Sequence, residues 1–131
     1  MMNREFNILY NEFHTSVERL RAGSITAKKT LQKGLVMDRF LQSFDKFLEV
    51  IKFIVKEHNV NCDFPANCIK EAVKFGLLSK ETIYLEMLED KYKIIQLKDK
   101  RCPEDLFLRV QVKYIPLLTN FSKKINNNYM D

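Results

Sequence analysis

Glycine and proline number only three each in 131 residues, and tryptophan is absent. A chain so poor in turn residues contains no Gly-rich phosphate loop and no Asn-Gly hairpin turn, which argues against the common nucleotide cradles and against a hairpin-built sheet. Cysteine is equally scarce. Cys62, Cys68 and Cys102 are an odd number without C-x-x-C spacing, a pattern that argues against a disulfide framework and predicts reduced, structural thiols. No apolar run approaches the roughly 18 residues that a membrane-crossing helix needs. The opening MMNREFNILYNEF carries charges and lacks a small-residue cleavage site, so a cytoplasmic protein is expected.

What is present favours helices. From Phe6, the apolar positions Leu9, Phe13, Val17 and Leu20 step by three and four, predicting a first helix over 1–22 that ends near Gly23. The stretch from Ser24 to Gly34 is weakly patterned and reads as a loop or a frayed continuation. Met37, Phe40, Phe44, Phe47, Leu48, Ile51 and Ile54 then mark a second helix over 35–58. Leu41, Val50, Phe53 and Val55 widen its stripe, enough for part of it to cover a second subunit. Pro65 suits the first turn of a third helix over 65–75, and Gly76 suits a left-handed C-cap. Ser79 is placed to cap a fourth helix over 80–95. Pro103 with Glu104 and Asp105 opens a last helix over 104–125, in which Pro116 should introduce a kink, and the tail INNNYMD should fray. The expected fold is all-α, an antiparallel four-helix up-and-down bundle with a short additional helix, in one domain.

The segments EAVKFGLL (71–78) and IYLEMLED (83–90) resemble a family pattern. In small helical proteins that serve as nucleotidyltransferase substrate-binding subunits, within the wider HEPN group, a P, E-A and G-L-I series is followed by W-L-x-M-L-E-D. The similarity extends to Arg39-Phe40 and Phe44-Asp45, which match a Q-R-F-E-x-x-x-E helix, with Leu48 where tryptophan is usual. Tyr114-Ile115-Pro116-Leu117-Leu118 matches a closing Y-x-P-L-L. The resemblance implies a homodimeric partner of a separate minimal nucleotidyltransferase, of toxin–antitoxin type. Nucleotidyltransferases themselves carry Gly-Ser followed by metal-binding Asp-x-Asp; this chain has Gly23-Ser24 but no Asp-x-Asp anywhere.

Family members that act as metal-independent ribonucleases continue from M-L-E-D into R-x-x-x-x-H-x-Y, and here those positions hold Lys91, Gln96 and Lys98. Cleaving RNA through its 2′-hydroxyl needs a group that moves a proton near neutral pH and a cation for the developing charge. Lys91 offers the cation, whereas Gln96 has no titratable proton. Lys98 lacks the phenol to which a partner enzyme attaches adenylate. A binding subunit is therefore expected and not an enzyme, with no cofactor or metal. The alternatives are a divergent ribonuclease toxin and a free-standing nucleotide or nucleic-acid binder.

The candidate ligand- or partner-binding residues are Glu86, Glu89, Asp90, Lys91, Tyr92, Lys93, Gln96 and Lys98. Residues 91–101 concentrate Lys91, Lys93, Lys98, Lys100 and Arg101 against Asp99 alone, in a chain of net charge +5, a local excess suited to phosphate. It suits a solvated helix end equally well. Glu86, Glu89 and Asp90 form an i, i+3, i+4 set that can bind metal or move protons, but ordinary pairing of Glu89 with Lys93 and of Asp90 with Lys91 or a partner chain is favoured. Tyr84 and Tyr92 can stack on a base or pack against a helix, and packing is favoured. His58, Cys62 and Cys68 lie close in sequence but lack the tight cysteine pair usual for zinc; His14 invites no stronger reading.

Overall fold

The computed structural model describes residues 3–97 and 102–130, and these contain helices and no strand. The expected all-α class is what the chain adopts. Its elements are α1 (Arg4–Thr26), α2 (Thr30–Glu57), α3 (Pro65–Lys74), α4 (Glu81–Leu97), α5 (Glu104–Arg109), a π-helical turn (Val110–Tyr114) and α6 (Ile115–Tyr129).

α1 opens where Asn3 accepts the Phe6 N–H at 3.0 Å, satisfying one of the donors a helix start leaves free. Its stripe of Phe6, Tyr10, Phe13, Val17 and Leu20 is fully or nearly fully buried against α2 and α6, each large side chain contributing roughly 1.5–3 kcal/mol of burial. Phe13, Phe47 and Phe121 meet ring to ring, with centroids 5.0 to 6.3 Å apart. They join α1, α2 and α6 in one core.

The connection between α1 and α2 is far shorter than the sequence suggests. α1 continues through Gly23 to Thr26, and α2 begins at Thr30, so both Gly23 and Gly34 lie inside helices. Polar groups hold the tightened corner: the Lys28 and Lys29 N–H groups donate to Gln32 Oε1, each at 3.0 Å, and Gln111 Nε2 donates to the Ser24 carbonyl at 3.1 Å. The broad stripe of α2 is largely consumed by the chain itself. Val50 and Val55 are wholly buried, and Leu41 and Phe53 pack partly against the core.

α3 starts at Pro65 as expected and ends in a Schellman turn. Gly76 adopts φ +75°, with Gly76 N–H donating to Val73 O and Leu77 N–H to Ala72 O. Lys124 Nζ reaches across from α6 to the Gly76 and Leu77 carbonyls at 2.8 and 2.9 Å. α4 begins at Glu81, so the position just before it belongs to Lys80 and not to Ser79.

The cysteine expectation is corrected. Cys62 and Cys68 are disulfide-bonded, with Cα atoms 5.1 Å apart, and Cys102 alone is free. The start of α3 at Pro65 turns the chain back so that Cys68, in the first turn, faces the loop residue Cys62. Such bonds persist mainly in oxidising compartments. His58 takes no part in any such cluster: its Nδ1 lies 3.0 Å from Ile54 O and its ring stacks on Phe75.

The final helical stretch absorbs Pro116 by widening. Ile115 N–H donates to Val110 O, five residues back, which relieves the pressure a proline ring puts on the preceding turn. The tail is helical to Tyr129, whose ring lies 6.3 Å from Phe6. No helix among the described residues is long and apolar enough to cross a membrane.

Candidate functional site

The candidate residues from Glu86 to Gln96 all lie on α4, and helical geometry divides them among three faces. Glu86, Asp90 and Lys93 face the last helical stretch, Lys91 turns toward α2, and Glu89, Tyr92 and Gln96 are exposed. Lys98, Lys100 and Arg101 lie outside the described residues.

Asp90 is the buried centre of the first face, its side chain only 2% exposed. Arg109 clasps it, Nε at 2.8 Å from Oδ2 and Nη2 at 3.1 Å from Oδ1, the fork geometry of the strongest carboxylate pairs. The Tyr114 hydroxyl donates to Asp90 Oδ2 at 2.5 Å and also lies 3.1 Å from Glu86 Oε1. Lys93 approaches Asp90 at 3.7 Å and Lys113 approaches Glu86 at 3.6 Å. Burial alone would push the Asp90 carboxyl up, but hydrogen bonds from Arg109 and Tyr114, with the charges of Arg109 and Lys93, hold it below the usual aspartate range. The same contacts act in reverse on the phenol: burial first, then the Asp90 carboxylate, raise Tyr114 well above its ordinary value. Asp90 is thus a fixed anion and Tyr114 a fixed neutral donor at any physiological pH.

The expected pairings are therefore redrawn. Lys93 pairs with Asp90 instead of Glu89, and Lys91 pairs with Asp45 Oδ1 at 2.8 Å instead of Asp90. Lys91, its side chain 14% exposed, also lies over the Phe44 ring. Both lysines of the described part of the basic run already have carboxylate neighbours. Tyr84 is buried and stacked on Phe47 with centroids 5.6 Å apart, and burial pushes its phenol up to about 12. Only Tyr92, about half exposed, remains free to stack on a ligand.

Two hollows adjoin α4. One, of about 370 Å³, is bordered by Lys93, Gln96, Pro103, Asp105 and Arg109. The other, about 740 Å³, lies between α2 and α4 and is lined by Leu31, Leu35, Leu41 and Ile95 with Lys28, Lys33 and Asp38 at its edges. Among the described residues no group of His, Cys, Asp and Glu side chains could hold a metal ion.

Arg109 escaped sequence reasoning. Its one visible signal was the Asp105–Arg109 i, i+4 spacing, realised here as a 3.4 Å contact, and nothing in that spacing points to Asp90. Tyr114 was visible as part of Y-x-P-L-L, but its attachment to Glu86 and Asp90 was not. No family model matches this chain, and no curated protein sequence matches it.

Proposed function

We propose that this chain is the non-catalytic substrate-binding or partner subunit of a separate minimal nucleotidyltransferase, working as a homodimer. The reading includes an antiparallel four-helix up-and-down arrangement with α3 as the short additional helix, and a toxin–antitoxin type setting; the Cys62–Cys68 disulfide weighs against the cytoplasmic placement that the sequence suggests. One observation carries it. The two segments with the strongest family likeness, IYLEMLED and Y-x-P-L-L, interlock through Glu86, Asp90 and Tyr114 although they lie more than twenty residues apart.

The hollow beside this network supports binding over cleavage. Lys93 and Arg109 stand at its edge, already beside Asp90 and Asp105, and Gln96, which shares that edge, has no titratable proton to move. Asp90 and Tyr114 are held away from neutral titration in opposite directions. For the homodimer, the support is the hollow of mixed polarity between α2 and α4, where Leu31, Leu35 and Ile95 are 79%, 53% and 48% exposed; large apolar side chains gathered at a surface favour a protein partner.

Co-expression with a minimal nucleotidyltransferase from the same genome, followed by affinity capture and size-exclusion chromatography with light scattering, tests both parts. Co-elution of the enzyme with two copies of this chain is expected. A monomer that never retains the enzyme would sink the proposal.

A further inference from the structure

A second cationic groove lies between α1 and α2, in contact with none of the α4 candidates. It is open, encloses about 440 Å³, and is lined by Arg19, Arg39 and Lys46 together with Thr15, Ser16 and Gln42, with Glu12 as its carboxylate. The charges are unevenly placed. Lys46 is engaged by Glu12 at 3.5 Å and by Glu49 at 3.4 Å. Arg19 and Arg39, which both line the groove, have no carboxylate within ion-pair distance among the described residues.

Arg39 is seated there by a notch. Its Nη1 donates to the Arg19 carbonyl at 3.4 Å, and a β-carbon built on Gly23 would stand 2.7 Å from that same nitrogen. Gly23 therefore leaves room for the guanidinium to lie across α1. Only one of its N–H groups is used, so the planar fork keeps donors for a second acceptor. Ser43, four residues beyond Arg39 on α2, is fully buried with a hydroxyl that has no hydrogen-bond partner among the described residues, and it does not line the groove.

We infer that the α1–α2 groove binds a phosphate group through Arg19 and Arg39, with the hydroxyl and amide side chains of Thr15, Ser16 and Gln42 contacting the neutral body that carries it. A guanidinium fork matches phosphate oxygens bidentately. The phosphate belongs either to a free nucleotide or to an RNA backbone. This site goes beyond the proposed partnership and stands or falls independently of it.

Isothermal titration of the full chain with ATP, with inorganic pyrophosphate and with a single-stranded oligouridylate tests the inference. Arg19→Gln and Arg39→Gln should each weaken binding at least tenfold. Gly23→Ala is the more telling variant, because alanine favours a helix interior while its methyl displaces the Arg39 guanidinium: its melting temperature should hold or rise as its affinity falls. Binding of ATP and pyrophosphate assigns a free nucleotide; binding of oligouridylate alone, weakening steeply with salt, assigns an RNA backbone. If none of the three probes binds, or if binding is indifferent to all three substitutions, the inference is overturned.

Discussion

Asp90 shows how a side chain can be visible in a sequence while its role is not. As one of three acids on α4 it invited a reading as a metal ligand or proton carrier, but its fate is settled by Arg109 and Tyr114, 19 and 24 residues further on. Their approach depends on how the last helical stretch crosses α4, which no local spacing encodes. Asp90→Asn would leave Arg109 facing a neutral amide, and a loss of about 3 kcal/mol is expected in urea unfolding. The sign of its pH dependence follows from the depressed carboxyl. The contribution is complete above the ordinary aspartate value of 3.8 and is lost as the pH falls through the lower folded-state value. The stability gap between wild type and Asp90→Asn should therefore close in acid, and a gap that widened there would contradict the assignment. Tyr114→Phe keeps the ring stacked on Phe40 but removes the donor to Asp90. Its expected cost is roughly 1.5 to 3 kcal/mol by the same measurement.

Elements were legible where a residue imposes its geometry and misread where packing decides. Pro65 and Gly76 bound α3 as expected because one is fixed for a helix start and the other tolerates a left-handed end. Gly23 and Gly34 gave the opposite result. A glycine inside a helix costs only about 1 kcal/mol, which the long α1–α2 contact readily offsets, so neither marks a boundary. Pro116 was expected to kink its helix, and the chain answers with a π-helical turn immediately before it. The element-level test is Gly76→Ala. A side chain at φ +75° is strained whatever space surrounds it, so stability should fall by about 1 kcal/mol or more, read as a lower melting temperature. An unchanged value would mean that the turn between α3 and α4 can be rebuilt without a left-handed residue.

At the scale of the molecule, the helical class was readable because nearly every apolar residue keeps a three–four spacing. The distribution of charge was not. A net charge of +5 suggested a basic cleft at the end of α4, yet Lys91 and Lys93 have carboxylate neighbours there, while among the described residues Arg19 and Arg39 on α1 and α2 have none. Pairings across helices decide where uncompensated charge remains, and a linear count cannot supply them.

The burial of Tyr84 and Tyr114 gives the protein a built-in optical gauge. The chain has five tyrosines and no tryptophan, and these two phenols are raised above the ordinary value of 10.0. Their neutral form stabilises the native state fully below that value, and the stabilisation is lost as the pH rises through their folded-state values. In an alkaline titration the tyrosinate absorbance of this pair should arrive late, in one step that coincides with the loss of helical circular dichroism. Ionisation of all five while the helices persist would show that the interior around Asp90 and Phe47 admits hydroxide.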